Sequence, residues 1–291
     1  MLINEASKIT GLTKKAIEYY IERELISPSI LENGYRDFTD SQVERLNKIS
    51  LLRKLGISTE DIKTILEDES RNTLQDFAIK TELGIQREQV KKSILDKLAS
   101  GKGYSEISAE LQMIENSKTI TEKLLDAFPG YYGRFVCLHF ARFLNEPIKT
   151  NSQHLAYKKV ISFLDNAPSL KLPEDLQEYL IDNTQGINTE QITEMIENTK
   201  KSIENPDEFL TNNKEILEQY LAYKQSDEYK ESHAYKIISL MKEFNKVSGY
   251  IDVFIPALKE LSSSYADYYK QLEIANEKLL AQYPDIEELN N

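Results

Sequence analysis

Arg36 stands two residues past the Asn33-Gly34 pair in the stretch ENGYRDF, residues 32–38, and local sequence equips it to grip a phosphate. Asn-Gly is the strongest short hairpin signal, because both central residues of a type I′ turn take positive φ. The pair predicts a small β-ribbon with Arg36 near its tip, and a guanidinium on such a ribbon suits a phosphate backbone. Other reactive arrangements are missing from the chain. It has no glycine-rich phosphate loop, no nucleophile elbow, no His-Glu metal helix and no Cys/His pair of usable spacing. No catalytic residue is assigned, and the expectation is that the protein is not an enzyme. Thiolate-rich metal sites need several cysteines, whereas Cys137 is alone. His139, His154 and His233 share no coordinating spacing, so neither metal nor cofactor is expected. Cys137 reads as a buried small apolar residue, with a switch through an intermolecular disulfide as the other reading.

Holding Arg36 in place requires elements on both sides of the ribbon. Only 10 Gly and 8 Pro punctuate 291 residues, and apolar residues recur at three- and four-residue spacing, which predicts an almost wholly helical protein. Asn4 can cap a short helix carrying Ala6 and Ile9 that stops at Gly11. Thr13 then caps KKAIEYYIEREL, with Ala16, Ile17, Tyr20 and Leu25 inward. Helix, glycine turn, helix is either a helix-turn-helix or an ordinary αα-hairpin. After the ribbon, Thr39 or Asp40 caps a helix with Val43, Leu46, Ile49, Leu52 and Leu55 on one stripe. Gly56 ends it, and Ser58 or Thr59 starts another that returns Ile62, Ile65 and Leu66 to the same core.

Charge is distributed unevenly over these parts. Residues 1–54 hold nine Lys/Arg against eight Asp/Glu, while the whole chain carries −12. A nearly neutral head on an acidic body is compatible with nucleic-acid contact by the head alone. No signal peptide is evident, and no apolar run approaches the ~20 residues of a membrane span, so a soluble cytoplasmic protein is expected.

The segments INEASKITGLTKKAIEYYIERELISP, ENGYRDFTDSQVERL and LLRKLGISTEDIKTIL, in this order, resemble the MerR family of bacterial transcription regulators. The resemblance covers about the first quarter of the chain and rests on three coinciding signatures: the double Tyr, the N-G-Y-R ribbon and the L-G-I-S break. It implies a winged helix-turn-helix over residues 1–70, a dimerisation helix over 71–100 and an effector domain over 101–291. The positions matching the reader of double-stranded promoter DNA are Thr13, Lys14, Lys15, Tyr19 and Tyr20. Tyr35 and Arg36 match the first wing. Arg53 and Lys54, near the second wing, are further candidate phosphate contacts. The chain departs from the family at Glu18, where arginine is common; this carboxylate must turn away or pair with Lys14, Lys15 or Arg23. The resemblance also implies a homodimer and engagement of RNA polymerase through ligand-driven DNA distortion. The alternatives are a repressor released by its ligand, or a helical interaction module targeted to DNA.

From Asn72 to Ala99 the pattern reads as one helix, though Gly84 and Glu88 spoil a strict heptad, and ASGKGYS (99–105) reads as a linker. Helices are then predicted at 106–128, 131–145, 149–165, 171–183, 188–204, 207–225, 228–247 and 249–282, the last bent at Pro256. This all-α body resembles neither the mixed α/β drug-binding domain nor the short-tailed metal sensors of the family. Its aromatics are dense, with 23 of the chain's 27 Phe and Tyr beyond residue 70. In FPGYYGRF, Pro129 and Gly130 are expected to break a helix and Gly133 to permit close packing. Tyr131, Tyr132, Phe135, Phe143, Tyr235, Tyr250, Phe254 and Tyr268 are candidates for a pocket taking a small aromatic or cationic organic ligand; each can equally be core.

Overall fold

The computed structural model describes residues 1–286 apart from positions 69, 129 and 169; Pro129, expected to break a helix, lies outside the described residues. The chain divides into two compact units, Met1–Leu74 and Gln75–Asn291. The fold is all-α apart from a two-stranded antiparallel ribbon.

The first unit contains α1 (Ile3–Thr10), α2 (Lys14–Glu22), β1 (Ser29–Ile30), β2 (Arg36–Asp37), α3 (Asp40–Lys54) and α4 (Thr59–Glu67). The start of α1 differs from expectation. Asn4 lies inside its first turn, and the Glu5 carboxylate accepts the Leu2 N–H at 3.0 Å instead. Thr13 caps α2 as expected, accepting the Ala16 N–H at 3.1 Å. Thr39 caps α3, its hydroxyl accepting from Gln42 N while the Gln42 side chain accepts from Thr39 N. Ala6, Ile17, Leu46, Ile49 and Ile62 are fully buried and tie α1 to α4 into one small core. Ile9 and Leu55, placed on inward stripes from sequence, are 59% and 65% exposed. Leu55 follows the last residue of α3, where the helical period no longer governs direction.

The ribbon pairs Ser29 with Asp37 and Ile30 with Arg36. Its turn is not the type I′ expected from Asn-Gly. Only Gly34 has positive φ, at 82°, while Asn33 does not. The Gly34 N–H donates to Leu31 O and the Leu31 N–H to Tyr35 O, both at 2.8 Å. That is the longer hairpin in which an ordinary turn precedes one left-handed glycine. Asn33 contributes its side chain, accepting the Tyr35 N–H at 3.1 Å.

The second unit contains α5 (Asn72–Ala99, beginning three residues before the division), α6 (Tyr104–Ala127), α7 (Gly130–Ala141), α8 (Asn151–Asn166), α9 (Glu174–Thr184) and α10 (Thr189–Glu204). There follow α11 (Pro206–Asn212), α12 (Lys214–Gln225), α13 (Asp227–Glu231), α14 (His233–Val247), a π-helical turn (Tyr250–Phe254), α15 (Ile255–Leu261) and α16 (Ser263–Gln282). Three long helices expected from sequence are therefore broken. Serine caused two of the breaks. Ser232 donates to Tyr229 O at 2.6 Å and accepts the Tyr235 N–H at 3.1 Å, ending one helix and starting the next. Ser262, not Pro256, interrupts the last segment, its hydroxyl accepting from Tyr265 N. Pro256 lies in the first turn of α15, directly after the π-helical turn.

The core of this unit joins Ile79 of α5, Leu124 of α6, Cys137 and Phe140 of α7, Val160 of α8, Ile192 of α10 and Phe254 with Leu258 near α15. Gly133 permits the tight start of α7, as expected: a Cβ there would sit 1.2 Å from the Phe128 carbonyl oxygen. A separate seam of Ile94, Ile107 and Ile114 packs α5 against α6, reinforced by Lys97 on Glu110 at 2.7 Å.

Candidate nucleic-acid interface

α2 presents a positive end. Thr13 fixes its first turn, and Lys14 and Lys15 occupy that turn, exposed and with no ion pair among the described residues. The free N–H groups of a helix start and two ammonium groups together suit phosphate oxygens. Glu18, on the same helix, is exposed and makes no ion pair among the described residues, so of the two arrangements expected for it the pairing with Lys14, Lys15 or Arg23 is not the one adopted.

The two tyrosines behave differently. Tyr20 is only 7% exposed and belongs to the core, which leaves its side chain no face for a nucleic acid. Tyr19 lies on the surface with its hydroxyl 3.3 Å from Thr59 Oγ1 at the start of α4. That hydrogen bond, followed by the nearby Arg23 and Arg53, lowers the phenol's pKa. The Arg23 guanidinium sits 5.3 Å above the Tyr19 ring. Sequence reasoning missed Arg23 as a neighbour of Tyr19, although its place four residues later puts both on one helix face. Arg53 has a second duty: its Nη1 donates to Ile57 O at 2.7 Å and holds the loop before α4. Lys54 is exposed.

At the ribbon, Asp37 is occupied. Its Oδ1 accepts from the Met1 amino group at 2.7 Å, which leaves Arg36 with no carboxylate partner among the described residues. Tyr35 is 61% exposed and so does not pack across the ribbon. The head thus displays Lys14, Lys15 and Arg36 uncompensated, on a helix start and a wing.

In the second unit the candidate ligand residues separate. Tyr132, Phe135, Tyr250 and Tyr268 line an open cleft of about 380 Å³ with His139, Phe140, Tyr265 and Tyr269. No carboxylate among the described residues is in its lining. Burial, with Arg142 nearby, lowers the His139 imidazole to about 4, leaving it neutral at pH 7. Its ring stands edge-on to Tyr268 at 5.4 Å and to Phe143 at 5.6 Å. Phe143 and Tyr268 also border a neighbouring cleft of about 580 Å³ that holds Glu197, Glu204, Asp267, Arg142 and Lys200. Three candidates lie elsewhere. Phe254 is fully buried core, and Tyr131 reaches Met195 Sδ at 3.6 Å. Tyr235 packs edge-on against Tyr229 at 5.5 Å. Helical spacing groups residues on one helix but cannot say which helices meet.

Cys137 is buried, and burial with the nearby Asp76 pushes its thiol up to about 12. Among the described residues no three His, Cys, Asp or Glu are grouped to hold a metal ion. No helix among the described residues is long and apolar enough to cross a membrane.

Residues 1–69 match the family described as MerR HTH family regulatory protein. The HTH-type transcriptional regulator CueR of Escherichia coli is 28% identical over 134 residues, covering 45% of this chain and 84% of that protein. That match is too long to be confined to the first unit. Heavy metal-dependent transcription regulator 2 of Rhizobium meliloti is 43% identical over 67 residues, 23% of this chain and 46% of its own length. The HTH-type transcriptional regulator HmrR of Rhizobium leguminosarum is 40% identical over 74 residues, 24% of this chain and 57% of its own.

Proposed function

We infer that this chain, a MerR-family DNA-binding transcription regulator, works as a homodimer controlling a promoter in response to a small aromatic ligand taken up by its helical body. The observation that carries the DNA-binding part is the uncompensated set Lys14, Lys15 and Arg36, on a helix start and a wing tip, in a head of the matching family. Tyr19, Arg23, Arg53 and Lys54 extend this set toward α4. Two heads spaced along one face of a duplex need a two-fold connection, and α5 is the segment long enough to make it. α5 leaves Ile85 and Leu95 exposed, apolar surface that a second copy can cover.

The aromatic cleft supports the ligand part: its volume falls in the range of small-molecule sites and its walls are rings with a few hydroxyls. A thiolate metal site does not fit the donors present, because Cys137 is the chain's one cysteine, buried and held protonated. The resemblance further implies promoters whose two elements stand too far apart, with DNA distortion bringing RNA polymerase into register. Ligand can drive that distortion only through different affinities for the two states.

The test is fluorescence anisotropy with the promoter duplex upstream of the protein's own gene, across a salt series. Each phosphate contact contributes about 0.9 to the log–log salt slope. Arg36→Ala, acting in both wings of a dimer, is expected to flatten the slope by about 1.8 and to weaken all sequences alike. An unchanged slope and affinity would refute the wing assignment. Thermal shifts with a panel of small aromatic compounds test the cleft, and a wholly silent panel counts against it.

A further inference from the structure

The exposed face of α2 carries a carboxylate that the phosphate contacts leave unexplained. α2 turns Ile17 and Tyr20 into the core. On the helical period the residues opposite them are Lys15, Glu18 and Glu22, all exposed. These three form a ridge. Lys14 lies on one flank of it. Tyr19 and Arg23 lie on the other, with the Arg23 guanidinium 5.3 Å above the Tyr19 ring and the Tyr19 hydroxyl 3.3 Å from Thr59 Oγ1. Glu18 follows Lys15 by three residues and Lys14 by four, yet makes no ion pair with either. Lysine before glutamate is the weaker order for such a pair, because it opposes the helix dipole. The Glu18 carboxylate therefore points outward from the ridge with no cation on it among the described residues.

We propose that Glu18 determines sequence specificity, its carboxylate accepting a hydrogen bond from the N4 amino group of a cytosine in the major groove. This rests on the DNA-binding reading above. When a helix lies in that groove, its ridge meets base edges while its flanks meet the two backbones. Lys14 on one flank, and Tyr19 with Arg23 on the other, carry donors suited to phosphate. Glu18 sits between the flanks, turned away from both backbones. An ionised carboxylate only accepts, so the groove offers it two partners, cytosine N4 and adenine N6. Adenine sets its N7 acceptor beside that amino group and repels a second oxygen; cytosine has no such acceptor. Opposite any other base the carboxylate is stripped of water without a donor, which makes the discrimination steep. Lys15, on the same ridge, supplies the donor that guanine O6 and N7 require. Its charge and that of Lys14 offset the repulsion between Glu18 and the duplex. Glu22 is the last residue of α2, whereas base contacts come from the start of a reader helix, so the role falls to Glu18.

The experiment uses the full-length protein and its own promoter duplex, together with a set of duplexes in which each base pair is replaced in turn by the other three. Fluorescence anisotropy gives the Kd of each. Wild type is expected to lose at least about fivefold in affinity when one particular cytosine of a half-site is replaced. Glu18→Ala, an exposed position that the fold tolerates, is expected to bind all four bases there within about twofold, with preferences at other positions kept. Glu18→Gln is expected to favour adenine at that position, because an amide matches adenine N6 and N7 together. Arg36→Ala should weaken every duplex alike and leave the cytosine preference intact. The assignment is overturned if Glu18→Ala keeps the full cytosine preference. It is equally overturned if Glu18→Ala tightens binding to every duplex by one common factor, the mark of a carboxylate facing phosphate. Should wild type bind no duplex at low salt, the DNA-binding reading itself fails and this assignment falls with it.

Discussion

Glu146 offers the sharpest test of how the cleft is built. It lies between α7 and α8 and reaches the start of α16, where four donors converge on it. Oε1 accepts the Ser264 N–H at 2.8 Å and the Ser262 hydroxyl at 3.2 Å. Oε2 accepts the Ser263 N–H at 3.2 Å and its hydroxyl at 2.5 Å. These N–H groups belong to the first turn of a helix and have no partner within it, and the helix start favours negative charge. Partial burial pushes Glu146 up, but the hydrogen bonds from Ser263 and Ser264 outweigh it and hold the carboxyl at about 2. A carboxylate held there, against its ordinary 4.5, carries at most about 3 kcal/mol at neutral pH. Solvent reaches one side of it, which reduces this to about 1–2 kcal/mol. Because the folded pKa is depressed, the contribution is complete above about pH 4.5 and is lost as pH falls toward 2. Glu146→Gln should therefore lower urea-unfolding stability by about 1–2 kcal/mol at pH 7. The gap to wild type should narrow as pH falls from 5 to 3. α16 carries Tyr265, Tyr268 and Tyr269, so the same variant should also weaken any aromatic ligand of the cleft. A constant gap across that pH range would refute the charged-cap account.

Two further outcomes are expected. Gly133→Ala forces a methyl to within 1.2 Å of the Phe128 carbonyl oxygen, which is backbone and cannot swing aside; a loss of about 3 kcal/mol or more should appear in thermal melts, and an unchanged Tm would contradict the close packing. Cys137, buried with its thiol at about 12, should resist iodoacetamide in the native protein at pH 8 and react promptly in urea; rapid native alkylation would reopen the redox reading.

The head was legible in sequence because its signals are local. Thr13, Thr39 and Ser58 announce helix starts through side chains that bond within three residues. Gly34 fixes a bend through its own φ. Where local signals compete, the reading slipped. Asn33-Gly34 serves two turn families, and the one adopted uses Asn33 for a side-chain bond rather than a left-handed backbone. Tyr19 and Tyr20 look alike in sequence, yet α4 arrives to meet one hydroxyl and the core absorbs the other ring. The body was legible as helical but not as a site. Tyr132 and Phe135, three residues apart, share one α7 face, but no short-range rule sends that face toward Tyr268, over 130 residues later. Serine breaks were missed because Ser232 and Ser262 sit amid good helix formers, and their hydroxyls outcompete propensity only when flanking helices pack elsewhere.

The acidity of the body does not by itself select the charge of the ligand proposed for the cleft. The sequence carries −12 overall, which favoured a cation, but the carboxylates are not where the rings are. Glu197, Glu204 and Asp267 line the neighbouring cleft, where Arg142 already bonds Glu197 at 3.2 Å and Lys200 stands 3.8 Å from Glu204. A cation in the aromatic cleft would meet rings and aliphatic side chains and no carboxylate among the described residues, each ring face contributing about 0.5–2 kcal/mol, while giving up its hydration. A flat neutral molecule gives up little water and gains the same ring area, with the hydroxyls of Tyr132 and Tyr269 and a neutral His139 to orient it. Tyr268 stands in the wall of both clefts, so a ligand with an aromatic body and a basic arm can place its rings on one side of that ring and its charge toward Asp267 on the other. The two ligand classes thus differ in whether the second cleft is used, and Asp267→Asn separates them: it weakens the basic-armed molecule and leaves the neutral one alone.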